Sequence, residues 1–505
     1  MDTEIDKKKR SIKIWIIDGL MVVTVVISVI VLTLLVLGYK VNQSGELEQT
    51  GLMQIHSIPT GAEVEIDGEK LNAKTNTNQA LTEGTHKVSL TKDGYSNWEK
   101  EVKVEPGMLV RLDYPRLFKE DRVMEKVRRL DDLDFLAASP NREYLIYAKK
   151  DAGEWNRMSI KQDEVKVVKL DYGVVLDFTV GEVEIMEWNK QNTRVLVRVV
   201  EGGDDAGGGG VSKDDGREGV DEASGNGNDA GETGGSGGDD EDVNANNVHW
   251  LLMDLEKPED SIDLTEKFGF AMRNVRMEDA GDKMLALREK ELVELDLKSG
   301  ETEVILQEVE RFTNSGAKVG YLTTVEDGVR LVGVYKLGEK AGATVTNVTE
   351  DAEVQILVSE YRGQSYLTVM NGQEMTVWQG DFVGGDNAKK HLKVAYEGEV
   401  EMVAKGLSTN VDGGYIVAEE GRKRVVVDVE MNELYKYTAD GDGVRWLDKY
   451  ITYVVNDEGM LVAQEFDGGN VRSLMRADGK YAAVITVDNR WIYYVCDEEL
   501  RRERL

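Results

Sequence analysis

Asp440-Gly441-Asp442-Gly443 begins as a calcium loop does, and Asp131-Asp132-Leu133-Asp134 places three carboxylates in four residues. Calcium takes about six to eight oxygen ligands, yet the first run continues into Val444 and Trp446, so a hairpin turn is the expectation there. The second run reads either as a cation holder or as the entry to a first β-sheet. The four histidines, His56, His86, His249 and His391, have no His or Cys at zinc-ligand spacing. Cys496 is the only cysteine, so no intrachain disulfide can form, and in Tyr493-Tyr494-Val495-Cys496 it alternates as a buried strand residue does. There is no G-x-S-x-G elbow, no H-E-x-x-H pair, no phosphate-loop lysine and no G-x-G-x-x-G between strand and helix. Carboxylate pairs for glycoside hydrolysis cannot be ranked among 95 acidic residues. No catalytic, cofactor-binding or metal-binding residue is assigned, no cofactor is expected, and the chain is not expected to be an enzyme.

The elements that would position any site begin with Ile14 to Leu37, a run of apolar residues interrupted by one charge, Asp18. About 20 apolar residues rising 1.5 Å each cross a hydrocarbon core of about 30 Å. Lys7, Lys8, Lys9, Arg10 and Lys13 precede the run and Lys40 follows it. The bias of positive charge predicts a retained, single-pass helix over 14–38, a cytoplasmic tail over 1–13 and everything later outside the membrane. A cleaved signal peptide is the competing reading, but its apolar region is usually only about 7–15 residues long. Asp18 sits in the first turns, where it reaches the headgroup level.

The net charge is −33, concentrated after the apolar run, while the hydrophobic content of 41% is that of packed globular structure. Such an acidic surface repels phosphate backbones, so nucleic acid is not an expected partner.

Residues 39–51 read as a juxtamembrane linker. Over 52–117 the pattern alternates with period two: Val64 and Ile66 against Glu63 and Glu65, Val88 and Leu90 against Lys87 and Ser89, Val102 and Val104 against Lys103. This predicts a small antiparallel β module with turns at Asp67-Gly68 and Asp93-Gly94. The series Ile58-Pro59-Thr60-Gly61-Ala62, Val64-x-Ile66-Asp67-Gly68, Leu81-x-x-Gly84-x-His86-x-Val88-x-Leu90 and Lys92-x-Gly94-Tyr95-x-x-Trp98 resembles the PEGA domain, with Thr60 where the family name has Glu. The resemblance implies a non-catalytic, extracytoplasmic β-sandwich in which Tyr95 and Trp98 serve packing, with a carbohydrate-stacking face as the alternative.

From 123 to 505 a turn rich in Gly, Asn, Asp or Lys is repeatedly followed by a β-rich run. The marks fall at Ser139, Trp188, Met277, Phe312, Arg362, Leu407, Trp446 and Asp488, spaced by 35 to 50 residues except for one interval of 89. That interval contains 202–247, dominated by Gly, Asp, Glu, Ser and Asn, which reads as a disordered insert; its flanks, Val195–Val200 and Val248–Met253, are expected to pair as one hairpin. Short strands at this period indicate β-propeller blades, and Phe466-Asp467-Gly468-Gly469-Asn470 resembles the turns of Tol-system propellers. Dividing the length without the insert by about 45 residues per blade gives between seven and eight blades, of which seven is preferred, with 123–128 pairing with the last strands to close the ring; two stacked β-sandwiches are the structural rival. Trp155, Trp188, Trp378 and Trp446 are expected in blade cores.

The fold class is therefore mostly β: a transmembrane helix, a PEGA-like sandwich and a propeller. The expected function is a membrane-anchored, extracytoplasmic binding or scaffold protein in the cell envelope, whose partner is another envelope protein or a surface glycan. The alternatives are a carboxylate-based hydrolase or lyase acting on wall polymers, and a self-associating structural component.

Overall fold

The computed structural model describes residues 15, 19–34, 38–41, 47–149, 155–161, 166–170, 180–201, 247–278, 281–325, 329–339, 341–349, 352–382 and 391–505. The chain divides into two compact units, Met1–Asp121 and Arg122–Leu505.

In the first unit residues 19–34 are helical, with exposed apolar side chains such as Leu20, Ile27 and Leu32. No helix among the described residues is long and apolar enough to cross a membrane. Positions 14, 16–18 and 35–37 of the expected span, and the tail over 1–13, lie outside the described residues.

Two four-stranded sheets follow. One runs Glu69–Lys74, Glu63–Ile66, Gly84–Thr91, Trp98–Val104, all antiparallel. Asp67 and Gly68 close its first hairpin with φ of 54° and 84°, the two left-handed positions that a type I′ turn demands. The other sheet joins Tyr39–Val41, Leu47–Ile55 and Thr77–Thr82, with Leu109–Leu112 on the free edge of Leu47–Ile55. That last pairing is parallel, Leu52 opposite Leu109, which corrects the all-antiparallel expectation. Alternation reports the face on which a residue lies and not the direction of the neighbouring strand. Within the stretch read as a linker, 39–51, Tyr39–Val41 and the start of Leu47–Ile55 are likewise paired strands. Met53, Ile55, Val64, Val88, Leu90, Trp98 and Val104 meet between the sheets. Each side chain so buried contributes about 1.5–3 kcal/mol.

Among the described residues the second unit is a β-propeller of eight four-stranded antiparallel sheets, the first seven of them meanders in chain order. The sheets span 133–170, 180–263, 273–306, 309–348, 354–399, 406–438 and 445–476, and the eighth combines 484–504 with Met124–Arg129. The second strand of each sheet is flanked by both neighbouring sheets and reads as a near-continuous apolar run, as in Leu145–Ala148 and Val195–Val199. Outermost strands such as Thr302–Leu306 and Glu433–Thr438 contain no buried residue.

Mixed apolar clusters join each sheet to the next from the first through the seventh. Between the seventh and eighth, the Ala483 N–H donates to the Tyr453 hydroxyl at 2.7 Å. The eighth returns to the first through Leu133, Leu145, Tyr147, Ala482, Tyr493 and Leu500. Two stacked sandwiches are thereby ruled out. The preferred count of seven blades is corrected to eight: every one of the eight turn marks in the sequence belongs to its own sheet, and the error lay in dividing by a generic blade length. The expected closure holds, with Met124–Arg129 pairing antiparallel to Glu499–Arg504. Arg194–Glu201 and Val248–Asp254 form the expected hairpin, Val200 opposite Val248; the insert they bracket, 202–246, lies outside the described residues.

Candidate functional site

The turns between first and second strands gather at one end of the ring, and five of them share one construction. Ser139, Asn189, Glu278, Asn410 and Thr486 each donate a backbone N–H to the carbonyl five residues on and accept one from the residue three on. That third residue has positive φ in all five: Arg142, Asn192, Gly281, Gly413 and Asn489. Four of the five also use their side chains. Asn189 Oδ1 accepts the Thr193 and Arg194 N–H groups at 2.8 and 2.9 Å, and Asn410 Oδ1 accepts that of Tyr415 at 3.0 Å. Ser139 Oγ and Thr486 Oγ1 do the same for Tyr144 and Trp491. Ser, Thr and Asn favour such places because their short polar side chains bond nearby backbone.

The rim is tied together across sheets. The Met277 N–H donates to Glu187 Oε2 at 2.8 Å, Arg194 Nη1 to the Gly281 carbonyl at 3.0 Å, Asn314 Nδ2 to the Met277 carbonyl at 3.0 Å, and Asn410 Nδ2 to the Lys449 carbonyl at 2.9 Å. Inside it lies a cavity of about 510 Å³ walled by the first six sheets. Its charges are mixed: Glu187, Glu278, Glu360 and Asp412 beside Lys190, Arg276 and Arg362. Among the wall residues, Trp188 Nε1, Asn314 Oδ1 and Ser359 Oγ are buried polar atoms bonded to no described residue, and so are Arg276 Nε and Glu278 Oε1, whose side chains have other interactions. A second cavity, about 390 Å³, is walled by the sixth, seventh, eighth and first sheets and shares Pro140, Asn141 and Val411 with the larger one. At the edge of the mouth, burial and a hydrogen bond to Glu430 Oε2 raise the Tyr361 phenol far above its ordinary value.

The residues singled out in the sequence fall elsewhere. Asp440-Gly441-Asp442-Gly443 connects the sixth sheet to the seventh, Glu433–Thr438 to Arg445–Trp446, which corrects the hairpin expectation; Asp440 Oδ2 accepts Asn456 Nδ2 at 2.8 Å. Asp131 and Asp132 precede Leu133–Ala138, the first strand of the first sheet, and Asp131 accepts Arg129 Nε at 2.5 Å. His56 lies 3.0 Å from Asp113, and His249 lies between Asp263 and Glu201 at 2.9 and 3.1 Å. His86 has Asp67 Oδ2 at 2.6 Å on Nδ1 and the Thr82 carbonyl at 2.9 Å on Nε2. Both of its ring nitrogens face acceptors, so the doubly protonated ring satisfies each. Burial alone would lower its pKa, but these bonds and the Asp67 charge prevail and raise it. Asp67 is held below the usual carboxylate range by His86 and the Lys87 N–H.

Cys496 is buried at the end of Trp491–Cys496, where burial pushes its thiol up. Trp98 is 1% exposed, edge-on to Tyr114, which leaves it no stacking face. Trp155, Trp188 and Trp378 are buried, but Trp188 also lines the larger cavity and Trp446 the smaller. Reading them only as core missed that second role. The shared Ser, Asn and Thr turn positions were the signal that could have located the mouth.

Residues 50–116 match the family model of the PEGA domain. No curated protein was found to match the chain. Among solved structures it is similar to the tricorn protease, at 12% identity with a TM-score of 0.38, covering 77% of this chain and 38% of that one. It is also similar to the Dos1 propeller, at 9% identity with a TM-score of 0.38, covering 75% and 93%, and to TolB from Acinetobacter baumannii, at 12% identity with a TM-score of 0.29, covering 51% and 60%. The chain thus spans well under half of the tricorn protease.

Proposed function

We propose that this chain is a binding or scaffold protein of the cell envelope, anchored by the apolar segment 14–38, with its PEGA domain and propeller on the extracytoplasmic side. The reading places recognition at the mouth of the propeller, where the partner is another envelope protein. The observation that carries it is the larger cavity's wall, in which Trp188 Nε1, Asn314 Oδ1 and Ser359 Oγ are buried without a partner among the described residues. A buried polar group left unpaired costs about 1–3 kcal/mol, and a bound partner able to reach these atoms recovers that. The turn-to-turn bonds around the rim preorganise the site, which reduces the ordering cost of association. No residue is assigned chemistry in this reading.

The test is photo-crosslinking from an unnatural residue at Asn192 on intact cells, with Glu303, an exposed outer-strand position, as the control. The expected result is a discrete crosslinked species from the mouth and none from Glu303. Identical, diffuse products from both positions would remove the mouth as the recognition face. Protease added outside the cells should digest the propeller, and its survival would refute the topology.

A further inference from the structure

The smaller cavity differs chemically from its neighbour. Trp446, Tyr453, Ala483 and Val484 give it apolar walls, and Val411 and Val487 stand 52% and 42% exposed at its rim. Its charged groups are Arg142, Arg445 and Lys449 against a single carboxylate, Asp448, in a chain whose net charge is −33. Asp448 already accepts the Tyr450 and Ile451 N–H groups, both at 2.8 Å. Arg445 is the decisive residue. Its Nη1 donates to the Tyr481 carbonyl at 3.0 Å, and among the described residues its buried Nε has no partner and no carboxylate pairs with it. A guanidinium on an apolar wall calls for an anion, because its planar fork matches a carboxylate and the surrounding low dielectric strengthens the pair.

We propose that this cavity receives the C-terminal residue of a partner polypeptide, with the α-carboxylate on Arg445 and an apolar side chain between Trp446, Tyr453 and Val484. The volume of about 390 Å³ suits one large side chain with its terminal carboxylate. A polypeptide is favoured over a free acid because the cavity adjoins the larger one, with Pro140, Asn141 and Val411 lining both. There Trp188 Nε1 and Ser359 Oγ can donate to backbone carbonyls and Asn314 Oδ1 can accept a backbone N–H. The inference rests on the mouth being the recognition face and specifies which chemical group enters it.

Full-length protein in detergent micelles is titrated by calorimetry with the peptide Ala-Ala-Ser-Leu as the free acid, with its C-terminal amide, and with isocaproic acid, the side-chain isostere. The free acid should bind at least about tenfold more tightly than the amide, as the loss of one charge-assisted pair implies. Arg445→Gln should abolish that preference and Arg445→Lys retain part of it. Val487→Asp, at a half-exposed rim position, should weaken the free acid by about tenfold through charge repulsion without altering the melting temperature. Equal binding of acid and amide, or an unaltered preference in a folded Arg445→Gln variant, overturns the proposal. Isocaproic acid binding as tightly as the peptide makes the site one for small free acids and overturns the polypeptide assignment. If no probe binds while Asn192 still crosslinks a partner on cells, this inference fails and the mouth stands; if both fail, the recognition face itself is wrong.

Discussion

Arg122 and Glu503 lie 381 residues apart in sequence and 3.1 Å apart in space, Nε to Oε2, at the seam where the propeller's ends meet. Arg122 Nη2 also donates to the Leu474 carbonyl at 2.7 Å, and the Tyr494 hydroxyl donates to Glu503 Oε1 at 2.8 Å. With side chains only 13% and 10% exposed, the pair is well shielded from solvent. Removing either partner strands the other charge, so Arg122→Ala should destabilise the propeller by about 3 kcal/mol. The neighbouring Lys126–Glu499 pair has its lysine 63% exposed, and Lys126→Ala should cost under about 1 kcal/mol. Urea unfolding of both variants checks the contrast, and equal losses would show that the seam depends on strand pairing alone.

His86 and Asp67 give the PEGA domain a defined pH window. The raised His86 pKa contributes stability that is complete below about pH 6.5, the ordinary histidine value, and fades as pH rises through the folded value. The lowered Asp67 pKa contributes above about pH 4 and is lost as pH falls through its own folded value. The domain should therefore be most stable between these limits. His86→Asn should flatten the alkaline side of the curve, measured as the thermal midpoint from pH 4 to 9.

Asp428 acts in the opposite sense to an ordinary surface carboxylate. Burial pushes its pKa up to about 6, despite backbone N–H bonds from Glu430 and Met431 at 2.9 and 3.0 Å. Its folded form holds the proton more tightly, so stability present at pH 4 is lost as pH rises through 6. Asp428→Asn keeps an acceptor for both N–H groups and removes the desolvated charge. It should gain about 2 kcal/mol at pH 7.5 and nothing near pH 4, read from urea midpoints.

How much of this was legible in the sequence varies with range. Asp67-Gly68 and the alternation around Val64 are local signals, and both appear as expected. The turn marks were local too, and all eight were present; the count slipped only where a borrowed blade length replaced them. Leu52 opposite Leu109 could not be read, because a parallel pairing across more than fifty residues leaves no local trace. The mouth was illegible for the same reason. Trp188, Ser359 and Arg445 stand far apart in sequence, and each reads as an ordinary strand-end residue until the ring brings them to one rim.

Asn410 offers a test of the rim. It is 1% exposed, its Oδ1 accepts the Tyr415 N–H, and its Nδ2 reaches the Lys449 carbonyl of the next sheet. Asn410→Ala should cost about 1–3 kcal/mol by leaving those groups unpaired. Hydrogen exchange should accelerate at Tyr415 before it does in the sheets' second strands. Unchanged protection there would show that the turn holds without its side chain.

Because among the described residues Met124–Arg129 pairs only with Glu499–Arg504, the earliest strand of the propeller to leave the ribosome must wait for the last. Until Glu499–Arg504 emerges, the nascent chain carries an unpaired strand and an open first sheet, both natural substrates for a holding chaperone. A stalled or prematurely stopped product would keep them permanently. Completion of the ring therefore doubles as a check that translation has passed the eighth sheet.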